Sequence, residues 1–334
     1  MTDGPEICVV IVTYNSDPTI ARCLAALGGQ TYRNFSVVLV ENGGTPSAGA
    51  ALALAGAPAQ LIEPGANLGF AAGNNRGVAH APAGATWIAA LNPDAFAAPD
   101  WLERFVEATR RYPQCGMFGS LQMQDGSNSR VDGRGDRYHA FGFAWRAGRK
   151  DPLPPKLADT ETFSPCAAAA FYRRDLFEAV GGFDEALFNH MEDVDIGFRL
   201  RLAGQHCIQL AAARVSHVGG ASSPSAFATF HGMRNTVLVF GKNMPAALLA
   251  PLLPFHLAAL GLLCLHHAIK GNGLAAVRGV GASLGKLGAM RAARRGVQKR
   301  RKASVRTIAR ALTWSWIAPL RMTASDSPPP VSAC

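Results

Sequence analysis

Acidic residues almost vanish from the last quarter of this chain. Residues 242–334 hold 14 Lys+Arg and one acid, Asp326, while residues 1–241 hold 19 Lys+Arg against 22 Asp+Glu. The net charge of +10 is therefore confined to the carboxyl-terminal segment. A basic stretch beside an apolar one favours an anionic membrane surface over nucleic acid as its partner. The seven cysteines include no CxxC pair and no zinc-site spacing, which argues against a zinc-ribbon or dithiol redox protein. An odd, patternless set suggests reduced thiols in a cytoplasmic protein. No secretory leader is expected, because Asp3 and Glu6 stand where a basic region is needed and Ile7–Val12 is too short an apolar run. There is no internal repeat, no low-complexity tract before the Pro-rich end, and no GxGxxG dinucleotide fingerprint. With 49% apolar residues, 334 residues can bury one large core, or one core plus a small appendage.

What is present alternates. Ile7–Thr13 (ICVVIVT) is apolar on both faces and β-branched, as a buried parallel strand should be. Asp17-Pro18 supplies a cap and a first-turn proline for a helix to about Leu27. Strands follow at Phe35–Glu41, Gln60–Glu63 and Thr86–Leu91, with helices at about Gly69–Ala79 and Asp100–Tyr112. Strand and helix at βαβ spacing predict a doubly wound α/β sheet for the amino-terminal half. Gln124–Pro165 breaks the pattern: it is polar, rich in Gly, Arg and Pro, and reads as a long functional loop or lid. Order returns with a strand at Cys166–Tyr172, a helix from Asp175, and a helix from about Asp193 to Ala203. On the last of these, Asp195 and Arg199 can pair at i, i+4.

Three stretches stand at the carboxyl ends of strands, where open α/β sheets gather their ligands: Thr13-Tyr14-Asn15, Glu41-Asn42-Gly43 and Asn92-Pro93-Asp94. Asp94 emerges from a buried strand and suits Mg²⁺ or Mn²⁺ against a diphosphate, although Asn-Pro-Asp also makes an ordinary turn. The run from Asn67 to Gly77 (NLGFAAGNNRG) is a Gly- and Asn-rich helix start whose free N–H groups suit an anion. It could equally be a glycine-loosened packing helix. Glu192, Asp193 and Asp195 crowd one turn at another helix start, either as dipole-stabilised caps or with one of them as a general base. His217 is a lone histidine, the commoner use of which is structural.

In order and spacing these stretches are more specific than any is alone. The segments VVIVTYN, VVLVENG, NLGFAAGNNRG, ALNPDA, AAAAFYRRDLFEAVGGFDEALFNHMEDVDIGFRLRLAG and RVSHVGG, covering about residues 7–240, make the chain resemble the inverting, GT-A-fold family 2 glycosyltransferases. The resemblance is to their rhamnosyltransferase-like branch, which builds bacterial cell-surface polysaccharides. It implies that Thr13, Tyr14, Asn15, Glu41, Asn42 and Asn92 line the nucleotide-sugar pocket. It further implies that Asn67, Gly69, Asn74 and Asn75 close over the donor. Asp94 matches the metal-binding acid of a DxD-like motif whose first acid is here Asn92, and His217 would supply a second ligand to Mg²⁺ or Mn²⁺. Asp193 matches the catalytic base, with Glu192 shaping the acceptor side. Glu41 departs from the family's usual Asp. The implied reaction moves a sugar, rhamnose from dTDP-rhamnose first, onto a hydroxyl of a surface glycan or lipid-linked oligosaccharide. UDP-hexose, UDP-galactofuranose and UDP-N-acetylhexosamine are the alternative donors.

A sugar nucleotidyltransferase would need a basic Gly-rich loop after the first strand, where this chain has Thr13-Tyr14-Asn15. A non-catalytic glycan-binding scaffold should have lost some of Asp94, Asp193 and His217, and all three are present. The expected organisation is a GT-A domain over 1–241, with a donor half to about 123 and an acceptor half from 124 that includes Trp145. An apolar and basic helical extension over 242–320 and a disordered tail over 321–334 follow. Met244–Leu265 approaches the ~20 residues of a bilayer span. Its prolines at 245, 251 and 254 predict a broken hairpin or an interfacial helix instead. Lys270–Arg310 adds 12 cations and no acid, and Trp314 and Trp316 offer interfacial anchors. Together these place the protein in the cytoplasm, peripheral on the inner face of the cell membrane.

Overall fold

The computed structural model describes residues 4–15, 17–43, 48–219 and 225–315; Trp316 and the segment 321–334 fall outside them. The amino-terminal half alternates as expected: β1 (Ile7–Thr13), α1 (Asp17–Gly28), β2 (Phe35–Glu41), β3 (Ala59–Ile62), α2 (Gly69–Ala79), β4 (Trp87–Leu91), β5 (Ala95–Ala97), α3 (Trp101–Arg111) and β6 (Met117–Gln124). Strands β3, β2, β1 and β4 run parallel in that spatial order. A later strand, β11 (Ala169–Arg173), is inserted antiparallel between β4 and β6. The final long strand, β12 (Cys207–His217), lies parallel to β6. The result is a mixed, mostly parallel sheet whose order reverses between β1 and β4, the position at which such sheets bind ligands.

β1 is apolar at every turn of its pleat because both faces are covered. Ile7, Val9 and Ile11 pack against α1 and α3 residues such as Leu24 and Phe105. Cys8 and Val10 point the other way, toward Ala71, Val78 and Ile196. The second cluster includes α5 (Glu192–Leu202), preceded by α4 (Arg174–Ala179). Asp195 is fully buried on α5 and bonded to Arg199 at 2.8 Å, as its spacing implies, and it also takes Lys242 at 2.7 Å and Asn243 at 2.7 Å. It is therefore a structural acid.

Three expectations need correction. Residues 124–165 are not a lid. They form short strands β7 (Val131–Gly133), β8 (Asp136–Tyr138), β9 (Ala144–Arg146) and β10 (Thr160–Thr162), with Val131, Tyr138, His139 and Phe163 buried. Three-residue strands between glycines carry too little periodicity to be read from sequence. The carboxyl-terminal helices α6 (Ala226–Asn243), α7 (Ala246–Ile269), α8 (Gly273–Leu284), α9 (Leu287–Lys299) and α10 (Val305–Ala311) are also not an appendage. Tyr138, Phe198, Phe240, Met244, Leu252, Ile308 and Leu312 share one apolar cluster, so the expected boundary at residue 241 runs through a core. Backbone bonds stitch the same junction, with Thr313 N–H donating to Tyr138 O (2.9 Å) and Lys302 N–H to Leu202 O (2.8 Å). Nor is Met244–Leu265 a broken hairpin. α7 is one 24-residue helix with Pro251 and Pro254 inside it.

Candidate active site

The ends of β4 and β12 bring Asp94 and His217 together. β5, directly after Asp94, pairs antiparallel with the end of β12, matching Ala95 to His217, and Val218 N–H donates to Asp94 O at 3.0 Å. His217 is 4% exposed, with Nε2 at 3.3 Å from Asp94 Oδ1. Its other ring nitrogen, Nδ1, lies 2.8 Å from Asp132 Oδ2, and Asp132 in turn accepts from Arg146 Nη1 at 2.8 Å. Burial disfavours the charged ring, yet the neighbouring Asp132 and Asp94 carboxylates outweigh it and hold His217 above the ordinary imidazole range. Both carboxylates are held low by the histidine, against their own burial.

A divalent cation fits this pair. Nε2 of His217 is sealed from solvent, faces a carboxylate oxygen, and makes no hydrogen bond of acceptable geometry. A nitrogen and an oxygen facing one another in this way can hold Mn²⁺ or Mg²⁺. Asp132 fixes the ring from behind, the usual carboxylate support for a metal-binding imidazole.

Asp193 opens α5 behind a strained turn. Phe188, His190 and Met191 have φ of 61°, 68° and 70°, a region that side-chain-bearing residues adopt only when surroundings enforce it. Asn235 of α6 enforces it, donating to the carbonyls of Leu187, Asn189 and His190 at 2.7–2.9 Å. Asp193 Oδ2 accepts from Ala167 N–H (3.2 Å) and Oδ1 from Val194 N–H (2.8 Å). The stretch Cys166–Ala168, expected in a strand, is instead an irregular turn. Ala168 O takes the N–H of Asn92 at 2.9 Å, so one short peptide ties the Asp94 loop to Asp193.

Two more acids surround Asp193. Asp136 contributes a carboxylate oxygen, and Cys166 its sulfur, within 4.8 Å of it. Burial pushes the Cys166 thiol up to about 12, which makes it a poor partner for a hard cation; this cluster suits proton chemistry. Glu192 is buried, and burial with the nearby Asp193 charge holds its carboxyl well above the usual range. Glu192 thus backs Asp193 from the protein side and offers no open surface to an acceptor.

The donor-side expectations divide. Tyr14 is 53% exposed at the end of β1, and Asn15 beside it has φ of 52°. Thr13 and Glu41 are buried at the ends of β1 and β2, and Asn92 is partly exposed before Asp94. The α2 start, by contrast, is no open anion cradle. Asn42 Oδ1 accepts from Leu68 N–H (2.8 Å), Asn67 Oδ1 from Gly69 N–H (2.9 Å), and Phe188 O from Ala71 N–H (3.2 Å). Gly69 is required because φ is +81° and a Cβ would meet the Phe188 ring at 2.5 Å. Asn74 bonds Phe70 O within its own helix (2.9 Å), and Asn75 bonds Phe183 and Glu185. Asn75 thereby joins α2 to the loop before Asp193. Trp145 is displaced too: strand alternation puts it on the ribbon face opposite Arg146, near Phe143 at 6.0 Å and His139 at 6.4 Å.

The sequence reading missed Asp132, Asp136 and Arg146 because all three lie in the stretch taken for a loop. Two acids four residues apart in VDGRGD were the available signal. Asn235, inside an ordinary-looking helix, gave none.

The model of glycosyl transferase family 2 matches residues 8–181. The chain belongs to that family. It is 32% identical over 240 residues to the N-acetylglucosaminyl-diphospho-decaprenol L-rhamnosyltransferase of Mycobacterium tuberculosis, covering 65% of this chain and 76% of that one. Among solved structures, GalNAc-T7 with UDP, GalNAc and Mn²⁺ superposes with a TM-score of 0.55 at 16% identity, over 72% of this chain and 48% of that one. The chain thus spans about half of that protein's length. The mannosyltransferase PcManGT from Pyrobaculum calidifontis, with GDP-Man and Mn²⁺, superposes at 0.52 and 18% identity, over 93% and 88%. These neighbours share the fold of this family 2 glycosyltransferase.

Proposed function

We propose that this glycosyltransferase transfers L-rhamnose, from dTDP-rhamnose, with inversion onto a hydroxyl of a lipid-linked glycan at a membrane surface. The observation that carries the reading is the convergence of the Asp94–His217 pair and Asp193 through the Ala167–Ala168 peptide. The acceptor oxygen attacks the anomeric carbon and its proton passes to Asp193, as the bond to the diphosphate oxygen breaks on the opposite side. Asp94 and His217 would hold Mg²⁺ or Mn²⁺, which when bound offsets the charge on the departing diphosphate. Tyr14, Asn15 and the buried Thr13 and Glu41 remain the residues for the nucleotide. The rhamnosyl donor and polyprenyl-diphosphate acceptor are suggested by the mycobacterial relative.

The test is a donor panel with Mn²⁺ or Mg²⁺ and a GlcNAc-diphospho-polyprenol acceptor, read by product mass. A product gaining one deoxyhexose from dTDP-rhamnose alone is expected, and its loss in EDTA. Transfer from a UDP-sugar instead would reassign the donor. Binding without turnover of any donor would favour a glycan-binding scaffold.

A further inference from the structure

The surroundings of Asp193 contain a second carboxyl that the reaction above does not use. Asp136 is 6% exposed, and its Oδ2 is sealed from solvent with no hydrogen-bond partner. Its backbone is fixed on both sides, since its N–H donates to Ser164 O at 2.9 Å and its carbonyl accepts from Thr162 Oγ1 at 2.9 Å. The side chain is therefore aimed by the sheet, within 4.8 Å of the Asp193 carboxylate. The β8–β9 register sets Arg146 opposite Asp136, but Arg146 directs Nη1 to Asp132.

We propose that Asp136 is a positioning residue that keeps its proton throughout turnover and donates it, directly or through one water, in a hydrogen bond to the Asp193 carboxylate. This rests on Asp193 being the base. Two carboxyls in one dry space cannot both ionise cheaply, so they share one proton. Asp193 is the partly exposed member and already accepts two backbone N–H bonds, which favour its anion. Asp136 has neither, and burial with the neighbouring Asp193 charge pushes it well above the carboxylate range. The other groups facing the pair do not displace this assignment. Glu192, Cys166, Cys207 and Tyr172 are held protonated by burial, and burial lowers His190, leaving its ring neutral. Arg146 supplies the one cation facing them among the described residues. The acceptor proton goes to Asp193; Asp136 ends the cycle with the proton it began with.

A hydrogen bond donated to a carboxylate favours its charged form, which gives the test its sign. The readout is kcat against pH, at saturating dTDP-rhamnose and acceptor, for the full chain and for Asp136→Asn and Asp136→Ala. Asp136→Asn keeps a neutral N–H donor in the same shape, so kcat should stay within about threefold and the acid limb should not move. Asp136→Ala removes the donor, so the acid limb should rise by about one pH unit while the high-pH plateau and donor KM are retained. A purely structural role would lower the plateau without moving the limb. If Asp136→Ala does not fold, Asp136→Leu fills the space without a donor and takes its place. An unmoved limb in the donorless variant, or Asp136→Asn shifting as far as it does, overturns the proposal. Near-normal turnover in Asp193→Asn would instead remove the base itself, so the two failures are distinguishable.

Discussion

At the scale of single residues, the site is a chain of acids with different duties set by their surroundings. Asp195 is neutralised by Arg199 and Lys242 and holds helices together. Glu192 and Asp136 are buried, and burial favours their neutral forms. Asp193, partly exposed and bonded by two N–H groups, is the acid proposed above as the base. Asp193→Asn should therefore cut kcat at least ~100-fold with donor affinity nearly unchanged. Asp132 acts one step further back. Because it orients His217 through Nδ1, Asp132→Ala should weaken Mn²⁺ binding by about 10–100-fold. Titration calorimetry of Mn²⁺ in the presence of dTDP would measure it. Unchanged Mn²⁺ affinity would mean that His217 is not a ligand.

At the scale of elements, α7 carries the most unusual surface. Its buried residues Leu252, His256 and Leu260 form one i, i+4, i+8 stripe against the protein, and His256 Nδ1 bonds Phe141 O at 2.7 Å. The other sides expose Leu257, Leu262, Leu265 and Ile269, the last at 80%, and α8 continues with Leu274, Val277 and Leu284. So large an apolar area on one helix pair marks a surface for something apolar. α9, which follows α8 in the chain and packs on α6, exposes Arg291, Arg295 and Lys299, each able to add about 1 kcal/mol near an anionic leaflet. We propose that this surface docks on a membrane, with α7 and α8 in the interface and α9 toward the head groups. Leu262→Glu, Leu265→Glu and Ile269→Glu together should abolish sedimentation with anionic liposomes without lowering the melting temperature. Undiminished binding by that variant would move the contact elsewhere.

At the scale of the molecule, the carboxyl-terminal helices complete the catalytic domain's core. Truncation after Lys242 removes Met244, Leu252, Ile308 and Leu312 from a cluster that holds Tyr138, Phe198 and Phe240. Losing a buried side chain of this size costs about 2–5 kcal/mol, so four such losses, about 8–20 kcal/mol, are as large as a typical domain stability of about 5–15 kcal/mol. The truncated chain should show no cooperative thermal transition by calorimetry. A normal transition would mean that residues 4–242 fold alone. The proposed docking surface and the catalytic domain thereby share one core: the cluster under Asp193's helix is also the seat of α7.

The local sequence determined many of the elements, though not β6, β12 or α6, long as these are. β1 and β2 were legible because both of their faces are buried, α3 and α5 because their apolar positions recur over three turns, and α2 from its Gly- and Asn-rich start. The family's motif acids were legible from their order along the chain. What only tertiary structure decided was their neighbourhood. The Asp94–His217 contact depends on β5 pairing with β12 across more than a hundred residues, and Asp132, Asp136 and Arg146 acquire meaning from a ribbon too short to have a period. The asparagines of α2 looked like ligand groups because sequence shows only their hydrogen-bonding capacity; folding had already given those bonds to the protein's own backbone. The same holds for the strained turn at Phe188–Met191, which one distant side chain, Asn235, holds in place. Residue type sets which bonds are possible, and only the packed chain brings the partners within the few ångströms at which they form.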